Sequence, residues 1–270
     1  MTTAPATLAE GAATALATAE ATSKAGAAQA MAERWRAGGL PPGEPVTGLG
    51  RPGRPDRPAL LPPREMPKRR TGKSRQGRIA LLHALAHIEL NAIDLACDIV
   101  ARFASPDLPR AFYDDWVRVA DEEAKHFLLL SERLAAFDAS YGDLPAHDGL
   151  WQAAETTAHD LLARLAVVPL VLEARGLDVT PAMIERLDDF GDTESADVLR
   201  IIYRDEIGHV AIGKRWFDWL CDQRSLDPRG AWRDLVRRHF RGTIKPPFND
   251  AARAAAGFEN ADYADLAANG

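Results

Sequence analysis

Apolar residues return at helical spacing over four long stretches of this chain, which predicts four core helices. The first runs from about Gly77 to Phe103, with Ile79, Leu82, Leu85, Ala86, Ile93 and Ala96 along one face. Ser105-Pro106-Asp107-Leu108-Pro109 ends it and starts the second in a tight antiparallel turn. The second helix reaches to about Ser140 and buries Trp116, Val119, Ala120, Phe127 and Leu130. Tyr141 to Gly149, with Gly142, Pro145 and Gly149, reads as a long crossover to a second hairpin. The third helix begins near Leu150 and holds Leu162, Leu165, Ala166, Pro169 and Leu172, with a kink expected at Pro169. Arg175-Gly176 reads as a helix end, and Thr180-Pro181 as a fresh N-cap with proline at the first helical position. The segment from there to about Phe190 continues in the same direction, so the third helix is expected to be broken. The fourth runs from about Thr193 to Cys221, with Leu199, Ile202, Tyr203, Val210 and Gly213 inward.

The flanks are less regular. Residues 1 to about 37 read as one or two weak helices ending in Trp35, which is available to dock on something larger. From Gly38 to about Arg70 prolines recur and regular structure is not expected. Residues 51–78 hold ten Lys or Arg against Asp56 and Glu65. Such a stretch reads as an arm wrapped on an acidic body, or as a phosphate-contacting arm for a nucleotide or RNA substrate. No aromatic side chains are interleaved to stack bases, which favours the first. Past the fourth helix, Trp232 to Phe240 predicts a short helix, followed by Lys245-Pro246-Pro247-Phe248-Asn249 and an Ala-rich helical turn. The expected organisation is an N-terminal helical and Pro/Arg-rich arm (1–76), a helical bundle (77–222) and a C-terminal extension of short helices packed on it (223–270).

Four acids interrupt the apolar faces. Glu89, Glu123, Glu173 and Glu206 lie where the pattern calls for hydrophobes, and a buried carboxylate costs several kcal/mol unless paired or metal-bound. Glu123 and Glu206 each have a histidine three residues on, His126 and His209, and none of the other 13 glutamates does. Composition alone gives about 0.4 such matches in the chain. On a helix that spacing sets carboxylate and imidazole on one face. Glu89 lies 34 residues before Glu123, and Glu173 lies 33 before Glu206, so the chain reads Glu…Glu-x-x-His twice. Glu89 and Glu123 are each about 22 Å from the turn between their helices, at ~1.5 Å per residue, and therefore level. Hard oxygen and borderline nitrogen ligands, presented twice, suit a pair of iron ions; Mn/Fe and Mn/Mn pairs fit the same set. The competing reading, two exposed surface pairs, leaves the apolar surroundings of all four acids unexplained.

Other candidates weigh less. His83 and His87 have the i, i+4 spacing of a zinc pair, yet His87 is rotated by about 160° from Glu89, so structural roles are expected for both. Tyr203, one turn before Glu206, reads as core packing, with hydrogen bonding to a ligand or electron transfer as the alternative. His159 is four turns from Glu173, and His147 falls in a loop.

Composition narrows the class. The chain has 270 residues, 46% hydrophobic and 27% charged, with a net charge of −6, which disfavours generic nucleic-acid binding by the whole molecule. Its two cysteines, Cys97 and Cys221, form no metal or redox spacing, so a reducing compartment is expected. No secretory or mitochondrial leader is read at the N-terminus, and the run Leu161 to Leu172 is too short to cross a bilayer. The expectation is a cytoplasmic protein without a membrane partner.

The motifs also resemble a known group. Asp205-Glu206-Ile207-Gly208-His209 and Glu122-Glu123-Ala124-Lys125-His126 are similar to the Asp-Glu-x-Arg-His pattern of the ferritin-like superfamily of di-iron carboxylate proteins, over about residues 77–221. Gly208 and Lys125 stand where arginine is usual, and Glu122 where aspartate is. The stretch His83 to Asp94, Arg204 to His209 and the loop Lys245 to Asn249 resemble, more closely, an uncharacterised bacterial branch of that superfamily. That branch is distantly similar to tRNA-modifying di-iron hydroxylases. The resemblance implies an all-α, ferritin-like four-helix bundle with a long crossover, in which Asp205 and Glu122 orient the ligand histidines.

Together these readings lead to an enzyme, a dioxygen-activating di-iron oxidoreductase that hydroxylates or oxygenates a small-molecule or RNA substrate. It is expected to draw on an electron donor and to act as a monomer or small homo-oligomer. Two other classes stay open at this point: iron handling (ferroxidase, storage or peroxide removal) and a non-catalytic bundle stabilised by a structural metal.

Overall fold

A computed structural model describes residues 4–66 and 73–268. The described residues are all-α, with one isolated bridge between Leu60 and Ala146 and no strand. Contacts divide the chain into two compact units, Met1–Gly149 and Leu150–Gly270, a boundary at the end of the crossover.

In the first unit, α1 (Leu8–Ala17) and α2 (Ala21–Arg36) form a helical pair that lies on a longer hairpin, α3 (Arg75–Arg102) and α4 (Arg110–Ala135). α1 packs on α3, and α2 on α4. Local chemistry starts each N-terminal helix. Thr7 and Glu10 form a capping box at α1, and the Glu20 carboxylate accepts from the Thr22 and Ser23 N–H groups at α2. Trp35 is buried, donates to Asp114 at 2.8 Å and lies under the Arg110 guanidinium. The turn into α4 is closed by the Tyr113 hydroxyl, which accepts from the Ser105 N–H and donates to the Ser105 carbonyl. α4 stops at Ala135, short of the expected Ser140. Asp138 adopts a left-handed φ of 48°, and the Ala139 N–H closes back on the Leu134 carbonyl.

Three arginines of the expected arm are engaged with acids of this unit. Arg51 pairs with Asp148, Arg54 with Asp94 and Asn91, and Arg75 with Asp138. Lys68, Arg69 and Arg70 of the same basic stretch lie outside the described residues. α3 is long and apolar enough to pass for a membrane span by length and composition, but 72% of its most apolar window is buried inside the protein, as in a core helix.

The second unit holds α5 (Gly149–Thr156), α6 (Leu161–Val167), a π turn (Val168–Glu173), α7 (Ala174–Asp189) and α8 (Thr193–Gln223). The short helices α9 (Pro228–His239), α10 (Asp250–Ala255) and α11 (Asn260–Ala268) follow. Two expectations for the third helix are corrected here. Arg175-Gly176 does not end a helix, and Thr180-Pro181 does not start one: α7 runs through both, with Pro181 inside it. The interruptions lie earlier. One is the gap before Asp160, whose carboxylate caps α6 at the Leu162 N–H. The other is the π turn, where the Ala174 N–H reaches back to the Pro169 carbonyl. Proline denies the ladder one donor, and an extra residue in the turn absorbs the mismatch.

The π turn sets Pro169 against Gly213 of α8, where a Cβ would overlap the proline ring. Gly213→Ala is therefore expected to destabilise the metal-free protein by about 1–3 kcal/mol, as overpacking does. A Cβ at Gly208, five residues earlier on the same helix, meets nothing within 4 Å. Gly208→Ala is expected to gain up to about 1 kcal/mol from helix propensity. Thermal and urea melts of the two variants in EDTA check the contrast; equal effects would refute the packing argument.

Candidate metal centre

In the first unit α3 supplies Glu89, and α4 supplies Glu123 and His126. All three are buried, Glu123 and His126 completely. His126 Nδ1 stands 3.2 Å from Glu89 Oε2 and 3.4 Å from Glu123 Oε2. Each of the three offers one ligand atom, and these atoms lie within 4.8 Å of one another. A cation bonded at about 2.0–2.2 Å to oxygen and nitrogen holds adjacent donors roughly 3 Å apart, so the spacing fits one.

Burial, and next the charge of Glu123, push the Glu89 carboxyl well above its ordinary range, against the hydrogen bond from His126. Other buried acids of α3 are answered differently. Asp94 meets Lys24 at 2.5 Å and Arg54 at 2.6 Å, and Asp98 meets Arg102 at 2.7 Å. Even so, burial pushes Asp94 up to about 6. Glu89 has no Lys or Arg partner among the described residues; its neighbours are an imidazole and a second acid. That donor set could hold a metal ion.

In the second unit α8 supplies Glu206 and His209. His209 is fully buried, and its Nδ1 stands 3.4 Å from Glu206 Oε1, the same spacing as in the pair on α4. Glu173 closes the π turn and is half-buried. Within each unit the structure thus brings a Glu-x-x-His pair into matched geometry, and in the first it adds the upstream Glu89.

Asp205 faces Arg204 at 3.4 Å, and Glu122 is half-buried on α4. The Tyr203 hydroxyl accepts from Asn249 Nδ2 at 2.8 Å. His87 hydrogen-bonds the Tyr141 hydroxyl at 2.8 Å and the His147 carbonyl at 3.1 Å, and burial pulls it down to about 4. His83 accepts from the Gly142 N–H at 2.9 Å. Both rings tie α3 to the crossover. Sequence reasoning missed Lys24, Asp94, Asp178 and Arg253, all buried. For Asp94 the signal was present, a carboxylate on the apolar helix that also carries Glu89.

Residues 17–264 match the family described as "Protein of unknown function (DUF455)". An uncharacterized protein of Haemophilus influenzae is 44% identical over 209 residues, covering 76% of this chain and 72% of that one. No solved structure matches.

Glu89 gives a direct test of whether the buried acids are structural or wait for a cation. Glu89→Gln is expected to raise the stability of the metal-free protein by about 0.5–2 kcal/mol, the usual gain on relieving a functional position. Metal content after reconstitution is expected to fall. A purely structural ion pair predicts the reverse, a loss of about 3–5 kcal/mol. Calorimetry in EDTA and plasma mass spectrometry separate the two.

Proposed function

Given that the chain belongs to the DUF455 family, whose description assigns no reaction, we propose that it is a non-haem di-iron oxidoreductase, a hydroxylase or related oxygenase. In this reading the helices form a ferritin-like bundle, and Glu89, Glu123, His126, Glu173, Glu206 and His209 hold two metal ions between them. The observation that carries it is the buried Glu89–Glu123–His126 set, which has an imidazole and a second acid where Asp94 and Asp98 have Lys and Arg. The Glu206–His209 pair, at the same 3.4 Å spacing, supports a second set.

Four carboxylates balance the charge of two divalent ions, so the ligands need no further counter-ion. When bound, a reduced iron pair supplies the electrons that activate dioxygen for insertion into a substrate C–H bond. The chain's own residues do the rest. His126 and His209 present Nδ1 toward the carboxylates, and helix packing fixes each ring. Asp205 and Glu122 are assigned to orient those rings, a task ligand imidazoles generally need performed.

Protein purified untagged from iron- and manganese-supplemented cells is expected to carry about two iron or manganese ions per chain. Anaerobically reduced, iron-loaded protein is expected to consume dioxygen in stopped-flow measurements. Zinc alone, or no metal after anaerobic Fe(II) reconstitution, would remove the basis of the reading. Iron that leaves dioxygen untouched would leave a metal protein without this chemistry.

A further inference from the structure

α7 contains a proline within its length, and the structure shows how that is accommodated. Pro181 has no N–H, so the Leu177 carbonyl one turn earlier receives no bond from that position. Asn249 fills the place: its Nδ2 donates to the Leu177 carbonyl at 3.2 Å. The same nitrogen donates to the Tyr203 hydroxyl on α8 at 2.8 Å. One amide with two hydrogens thus joins two helices. Leu177 lies four residues after Glu173, and Tyr203 three before Glu206. Each end of the bridge is therefore one helical turn from a proposed ligand.

Asn249 is itself held on every polar atom. Its N–H donates to Asp178 Oδ1 at 3.0 Å, and its Oδ1 accepts from the Ala252 N–H, capping α10. Asp178 in turn takes two bonds from the buried Arg253, at 2.8 and 2.7 Å, whose guanidinium lies over the Phe248 and Tyr263 rings. Arg175 donates to the carbonyls of Lys245 and Pro247, fastening the start of the same loop to α7. Asp178 and Arg253 are buried and Asn249 half-buried, and multiply bonded groups of this kind fix geometry more tightly than a single surface contact does.

We propose that Asn249 is a positioning residue for the metal centre, its two donated bonds setting the separation and rotation of α7 and α8 that Glu173 and Glu206 require. The proposal rests on the di-metal reading above and adds to it a role for the Lys245–Asn249 loop. Asparagine is needed because it combines two donors with a capping acceptor. Aspartate keeps the cap and loses both donors.

The test uses Co(II) titration of the metal-free, full-length protein under anaerobic conditions, reading affinity and the ligand-field spectrum, beside thermal melts. Wild type is expected to take up about two ions per chain. Asn249→Asp keeps the α10 cap, since the two residues cap equally well. Asn249→Asp and Tyr203→Phe are each expected to weaken uptake of one ion 10–100-fold, the range for outer partners of ligands, and to shift the spectrum. Pro181→Ala returns an N–H to the Leu177 carbonyl. Added to Asn249→Ala, it is expected to recover melting temperature but not Co(II) affinity, because the link to Tyr203 stays cut. Unchanged affinity and spectrum in Asn249→Asp, with normal wild-type uptake, overturns the proposal and leaves the metal reading standing. Recovery of affinity together with melting temperature in the double variant overturns it too, assigning Asn249 to stability alone. A wild type that takes up no ion overturns both.

Discussion

A carboxylate taken out of water must meet positive charge or give up its own, and much of this structure is arranged around that demand. Helix α3 alone buries Glu89, Asp94 and Asp98. The last two are met by cations of the chain itself. Lys24 reaches in from α2, Arg54 from the proline-rich segment and Arg102 from one turn along α3. These pairs explain why residues of weak helix and no regular structure fold onto the hairpin: each brings a charge that the core of the first unit lacks. In the second unit Arg253 does the same for Asp178 and fastens the C-terminal segment to α7. Glu89 stands apart, since its neighbours His126 and Glu123 add an imidazole and a second acid where a cation is wanted. The difference between Asp94 and Glu89, five residues apart on one helix, is the physical ground for the metal reading.

Much of this was legible in the sequence because it is local. Helical periodicity located α3, α4 and α8, and equal distance from one tight turn put Glu89 level with Glu123. The i, i+3 spacing needs only a helix to place Glu123 beside His126 and Glu206 beside His209. The reading of His87 as structural needed only the rotation per residue.

What stayed hidden depends on partners distant along the chain. Pro181 looked like a helix start because a proline inside a helix normally lacks compensation; here the compensation comes from Asn249, far along the chain. Gly176 looked like a helix end, but its φ is ordinary and the chain simply continues. The end of α4 was set too late because Asp138 adopts a left-handed conformation more often found at glycine. Lys24 gave no warning of burial, since a lysine in an Ala-rich helix normally faces water. Its place in the core follows from Asp94, 70 residues on, and no local pattern contains that.

The two glycines of α8 show how the same residue type answers to different constraints. A glycine inside a helix costs about 1 kcal/mol relative to alanine. At Gly213 the cost is offset by contact, because the π turn brings Pro169 against the helix backbone and leaves no volume for a methyl group. That close approach also keeps the π turn, and Glu173 at its end, against α8. At Gly208 no such contact exists within 4 Å, and packing inside the described protein does not account for the missing side chain. Gly208 sits between Glu206 and His209, within the motif itself. At 100° per residue it is nevertheless turned about 160° from Glu206, away from the face that carries both ligands, so its open space is no approach to the metals, and of the two glycines only Gly213 has a reason in the packing of this helix.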